Sequence, residues 1–176
     1  MTGARCYTGI GARATPADAL ALLWTLAGAL AGAGWTARSG GADGADSAVM
    51  AGARALGGEV ETYLPWPGFR GLTGATLDRP SAAALDLAAR HHPAWPACGE
   101  KVRALHARNA HEVLGARLDS PSRFVVCWTA DGSLDGAARS SGGTGQALRI
   151  AAAFDVPVFN LCRPDHRHRV EALLAR

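Results

Sequence analysis

Arg38-Ser39-Gly40-Gly41-Ala42-Asp43-Gly44-Ala45-Asp46 is the stretch on which the reading of this chain turns. It follows a strand-like run, Trp35 to Arg38, and leads into a helical pattern that stops at Gly57-Gly58. A tight turn between strand and helix needs one or two small residues. Ser39 to Asp46 instead carries three glycines, two acids and a serine in eight positions. Glycine lets the backbone turn sharply and come close to a ligand. The start of the next helix offers free N–H groups and the positive end of its dipole, which favour an anion. Asp43 reads as a hydrogen-bond partner for a ribose or base, and Asp46 as a helix-start cap or second polar contact.

Working outward, two more glycine loops stand between a strand and a helix, at Thr8 to Arg13 and at Gly142 to Gln146. Short apolar runs at Arg5 to Thr8, Trp35 to Arg38, Glu59 to Leu64, Phe124 to Trp128 and Val156 to Leu161 alternate with longer helical patterns. That alternation predicts βαβ units. The expected fold is α/β, a Rossmann-like three-layer sandwich with a mostly parallel central sheet. In such a sheet the three loops share the edge at the carboxyl ends of the strands, where ligands bind. Thr15 is expected to cap the first helix, with Pro16 as its first residue and Leu20, Leu23, Trp24, Ala27 and Leu30 as its core stripe. Other helices are expected over Ser81 to Arg90, Gly99 to Leu114 and Gln146 to Phe154. The chain reads as one domain over 1–176, with an irregular excursion at about 65–98 and a small, polar, mobile stretch from Asp131 to Ser141. A dinucleotide fingerprint is matched only loosely, since Gly9-Ile10-Gly11 is followed by Ala14 where the third small residue would stand.

Composition sets bounds. With 176 residues, 48% apolar and 19% charged, the chain suits one well-filled core. A net charge of +3 and a pI near 8.9 tolerate an anionic partner but lack the basic stripe of a duplex-binding protein. No apolar run approaches the roughly 20 residues that span a bilayer, and no secretory signal opens the chain, so a cytoplasmic protein with no membrane partner is expected. The four cysteines, Cys6, Cys98, Cys127 and Cys162, form no Cys-x-x-Cys pair, and three of them fall in the strand runs as small core residues. Among the six histidines, His106 and His111 stand five apart on a helix and off one face, so no metal site and no cofactor are expected. Trp128 reads as core. Trp66 and Trp95 are open to base stacking.

Arg13 and Arg108 are the charge partners best suited to a phosphate, because guanidinium meets its oxygens two at a time. Four segments together carry a family likeness: Tyr7 to Arg13, Arg38 to Asp46, Arg108-Asn109-Ala110 and Gly142-Gly143-Thr144-Gly145-Gln146. They resemble the SMF/DprA–Lonely Guy (SLOG) superfamily, most closely its DprA-like Rossmann proteins of the bacteriophage type. The resemblance implies a nucleotide or nucleotide-derived ligand held at the strand tips by Gly9, Gly11, Arg13, Ser39, Gly40, Gly41, Asp43, Arg108, Asn109, Gly142, Gly143, Thr144, Gly145 and Gln146. It also implies a homodimer or higher homo-oligomer, a host cytoplasm for a viral protein, and a role such as sequestering a nucleotide signal. Two alternatives come from the same superfamily. One is a DprA-like binder of single-stranded DNA. The other is a Lonely Guy-like nucleotide N-glycosidase, whose motif has a glutamate where this chain has Arg149. An arginine there opposes the positive charge that builds at the sugar, and Glu112 or Asp43 would have to substitute. Whether the chain is an enzyme at all is left open by that departure.

Overall fold

The computed structural model describes residues 5–138 and 141–175. Five strands form one sheet: β1 (Cys6–Gly11), β2 (Thr36–Ser39), β3 (Val60–Thr62), β4 (Val125–Trp128) and β5 (Val158–Asn160). Their order is β3-β2-β1-β4-β5, and every pairing is parallel. The chain winds outward from β1 to β3, then crosses back to β4 beside β1. That reversal puts the topological switch between β1 and β4, where open α/β sheets form their ligand crevice.

Six helices cover the two faces. α1 (Ala17–Gly32), α2 (Ala45–Ala55) and α6 (Pro164–Leu174) pack on one side. α3 (Ala82–His91), α4 (Glu100–Leu114) and α5 (Gly142–Ala153) pack on the other. The strands feed both layers in alternation. Tyr7 and Val126 join the α1/α2 core with Leu23, Val49 and Val170. Ile10, Val125 and Cys127 join the α3/α4/α5 core with Leu87, Val113 and Leu148. The fold is therefore the Rossmann-like three-layer α/β sandwich that the alternation of runs predicts.

Several local expectations shift. β1 runs on to Gly11, because Gly9, Ile10 and Gly11 pair with Val126, Cys127 and Trp128. Gly9 and Gly11 are thus sheet residues that make room for neighbours. A Cβ on Gly11 would lie 2.7 Å from Ala45 Cβ and 2.9 Å from the Trp128 carbonyl oxygen. Thr15 does not cap α1: its hydroxyl donates to Ala12 O at 2.5 Å, and Pro16 takes the cap position. The buried stripe of α1 is Ala19, Leu23, Leu26, Ala27 and Leu30, with Trp24 turned outward at 45% exposure. α2 lies so close to α1 that Gly52 faces the Trp24 backbone, where no side chain fits. The excursion contains a regular element, α3, capped by Ser81, whose Oγ accepts from the Ala84 N–H at 3.2 Å.

Part of the stretch from Asp131 to Ser141, expected to be mobile, is pinned. Asp131 Oδ1 accepts from Thr129 Oγ1 (2.7 Å) and Ser133 N (3.0 Å), and its Oδ2 from Ser141 Oγ (2.7 Å). Buried Asn160 donates to Thr129 Oγ1 and the Ser133 carbonyl. Residues 139 and 140 of that stretch lie outside the described residues. Cys6 and Cys127 are core thiols, but Cys162 falls past the end of β5, half-buried. Trp128 is also only half-buried, at the strand tip. None of the described helices is long and apolar enough to cross a membrane.

Candidate functional site

The carboxyl ends of β1 and β4 open into a crevice of about 430 Å³. All three glycine turns reach it. The first contributes Gly11, Ala12 and Arg13, the second Ala42 and Asp46, and the third Ser141, Gly142, Gly143 and Thr144. One face of α4 forms the remaining wall with Val102, Leu105, His106, Arg108, Asn109 and Glu112, and Phe69 also lines the crevice. The α4 positions follow the i, i+3, i+4, i+7 spacing of a single helical face.

The first two turns interlock. Gly44 caps α2 with φ 87° and ψ −124°. A Cβ there would sit 2.8 Å from Ala12 O and 2.9 Å from Arg13 O, so glycine is required both by the backbone angle and by the contact. The third turn opens α5. Its cap residue, Ser141, makes no side-chain cap because its hydroxyl is committed to Asp131. Helix geometry leaves first-turn amides without intrahelical acceptors, and at this end Gly142, Gly143 and Thr144 border the crevice. Asn109 ties the turn to α4, donating from Nδ2 to Gly143 O at 2.9 Å.

The crevice floor is a buried charge cluster. Asp46 is 2% exposed, Arg108 8% and Glu112 1%. Asp46 Oδ2 accepts from the amides of Gly40 (3.3 Å) and Ala42 (3.2 Å), so the second turn's amides are already taken by its own acid. Arg108 donates from Nη1 to Gly40 O. Its Nη2 lies 4.0 Å from Asp46 Oδ2, and its Nε lies 3.5 Å from Glu112 Oε1. The last distance is ion-pair range without a formed hydrogen bond. Arg108 Nε and Glu112 Oε1 are accordingly buried without a hydrogen-bond partner among the described residues. Burial raises the Glu112 carboxyl to about 8, with Arg108 opposing the rise and Asp46 adding to it. Asp46 is also raised by burial, against the pull of Arg108 and its backbone donors. A neutral Glu112 leaves the crevice with two guanidinium groups, Arg13 at the rim and Arg108 on the floor, facing at most one carboxylate.

The structure brings Gly11, Arg13, Arg108, Asn109, Gly142, Gly143 and Thr144 to the crevice, as the sequence patterns suggest. Others support it from behind. Ser39 Oγ donates to Gly9 O at 2.7 Å, Gly9 packs on Val49, and Gly40 leaves space for the Arg108 and Glu112 side chains. Gly145 packs on Ser141, and buried Gln146 donates to Ala88 O at 3.0 Å. Gly41 and Asp43 lie elsewhere: they line a shallower depression with Arg54 and Arg70, and Asp43 pairs with Arg70. Arg149 is not in the crevice wall. Its guanidinium donates to Gly136 O (2.6 Å) and Gln146 Oε1 (3.1 Å).

No protein-family model, curated protein or solved structure matches this chain significantly, and the site is therefore read from its own geometry. Residues that loop patterns alone do not reveal are Phe69, Leu105, His106 and Ser141. Helical spacing from Arg108 carries a signal for Leu105 and Glu112. None exists for Phe69, which arrives from the excursion and sets its ring 5.7 Å from the Arg108 guanidinium.

A pH prediction follows from Glu112. An acid whose folded value is raised stabilises the protein fully below its unfolded value and loses that contribution as pH rises through the folded one. Burial lowers His92, His106 and His111, and their contribution is complete above roughly pH 7. Between about pH 7 and 8.5 the melting temperature of the wild type is expected to fall. That of Glu112→Gln is expected to fall less. Parallel thermal melts across this window check it.

Proposed function

We propose that this protein binds a nucleotide, or a ligand derived from one, with its phosphate between the first and third glycine turns. The observation that carries the reading is the pair of orphaned atoms on the crevice floor. Buried polar groups are nearly always hydrogen-bonded, so a donor and an acceptor that face each other at 3.5 Å without a formed hydrogen bond, in the wall of a cavity, suit a polar ligand that could bond to both. The phosphate end is supported by the first-turn amides of α5, which have no intrahelical acceptors, and by Arg13 at the rim. The volume suits one nucleotide, within the range of small-ligand sites and short of a groove that tracks a strand. The likeness of the glycine turns to SLOG proteins points the same way.

Native mass spectrometry of the freshly purified protein tests this. A retained mass matching a nucleotide, or a thermal shift with at least one of a panel of nucleoside monophosphates, is expected. A bare chain with no response to the whole panel contradicts the proposal.

A second reading, cleavage of the base from a nucleoside monophosphate, is favoured by one feature. Glu112 is a carboxyl held protonated in the crevice beside a guanidinium, the state of a general acid. It occupies the cavity that Arg149, turned toward Gly136, does not enter. Release of free base from a nucleoside monophosphate, lost in Glu112→Gln, is the expected result for this reading. Base release that Glu112→Gln leaves intact, or none from any common monophosphate, removes it.

A further inference from the structure

Beside the crevice, the end of α3, the loop after it and α4 bring three metal-ligand types together. His92, Cys98 and His106 each place one donor atom within 4.8 Å of the other two. The sequence separates them by five and seven residues, a spacing outside the usual short zinc patterns. We propose that His92, Cys98 and His106 bind a single divalent transition-metal ion, zinc by ligand type, with the fourth coordination position left to water.

The geometry is close to what zinc requires. Zn–S near 2.3 Å and Zn–N near 2.0–2.1 Å at a tetrahedral angle separate sulfur from nitrogen by roughly 3.6 Å. Cys98 Sγ lies 3.8 Å from His92 Nδ1. The His92 and His106 ring centroids are 4.3 Å apart and tilted by 45°, which brings the two rings in at an angle rather than stacked. The Nδ1 of His106 is buried without a hydrogen-bond partner among the described residues, an unused lone pair or proton at the cluster. The His92 Nδ1 lone pair accepts from the Ala94 N–H at 3.2 Å, and the Cys98 thiol donates to Ala94 O at 3.5 Å, two weak bonds that a metal would replace.

Histidine ligates a metal as the neutral imidazole. Arg149 is a neighbouring cation, and its guanidinium is already tied to Gly136 O and Gln146. Cys98 would bind as thiolate, giving up one proton to solvent and offsetting one unit of the metal's charge.

Three protein donors and one open position is the arrangement of zinc sites that keep a water. His106 also lines the crevice, so the bound ion would stand at its wall. The metal proposal rests on the cluster alone and fails or stands independently of nucleotide binding.

The test is titration of the full, untagged, metal-stripped chain with Co²⁺ and with Zn²⁺ in competition with a chromophoric chelator. One ion per chain is expected, with tetrahedral d–d bands and a thiolate charge-transfer band in the cobalt form. Cys98→Ser should remove the charge-transfer band and weaken binding by more than ~100-fold, beyond the loss expected for an outer partner of a ligand. His106→Gln should weaken binding likewise. Cys162→Ser, a half-buried cysteine elsewhere, should change neither reading. Melts of the metal-free variants verify that each is folded. Absence of one-to-one binding, binding without the thiolate band, or a Cys98→Ser protein that binds as the wild type does would overturn the proposal.

Discussion

Arg108→Ala is expected to cost about 3–5 kcal/mol of stability and to abolish nucleotide binding. The arginine is the only cation within ion-pair distance of Asp46 and Glu112 among the described residues, and its removal leaves two buried acids facing each other. It also strips the Gly40 carbonyl of its donor and the Phe69 ring of its cation. Stability and binding separate in a double variant. Adding Asp46→Asn removes the stranded carboxylate, so Arg108→Ala/Asp46→Asn should recover a large part of the lost stability and none of the binding. Chemical denaturation and calorimetry of the four proteins in this cycle provide the check. A double variant no more stable than Arg108→Ala would mean that Arg108 and Asp46 do not act as a charge pair.

The second large effect is expected at Gly44. Gly44→Ala imposes a positive φ on an L-residue and drives its Cβ into the Ala12 and Arg13 backbone. Strained φ/ψ and overpacking each cost about 1–3 kcal/mol, so a loss of about 2–6 kcal/mol is expected. The damage falls on the junction of the first two turns, so binding should weaken at least ~10-fold through the displaced first turn. Gly57 is the control. Its φ is 72°, yet no atom lies within 4 Å of where its Cβ would be. Gly57→Ala should therefore cost only about 1 kcal/mol and leave binding alone. Equal losses at the two positions would contradict the interlocking of the turns.

How far the sequence discloses this depends on how local each signal is. The buried run Val125–Trp128 declares itself through apolar continuity, and the order of strands and helices follows from alternation. The strand limit at Gly11 does not, because Gly9 and Gly11 have turn character locally and become sheet only through pairing with β4. The start of α5 at Gly142 is hidden as well, since glycine is a poor helix former and the bond from Asn109 to Gly143 O that ties this turn to α4 is nonlocal. In α1 the periodicity predicts a stripe but not its rotation, which the close approach of Gly52 to the Trp24 backbone fixes. At the site, loop composition points to the three turns and to Arg108. It does not distinguish Asp46, which fills the second turn's amides, from Asp43, which turns outward to Arg70. The His92, Cys98 and His106 cluster is nonlocal, assembled by a loop reversal between α3 and α4.

The central claim is that the meeting of these turns holds a phosphate. Calorimetric titration with the four common nucleosides and their 5′-monophosphates, at fixed ionic strength, tests it most directly. The account predicts that for at least one base the monophosphate binds ~100-fold or more tightly than its nucleoside, and that Arg13→Ala and Arg108→Ala each narrow the gap. Nucleosides that bind as well as their monophosphates, or a gap that survives both substitutions, would contradict it.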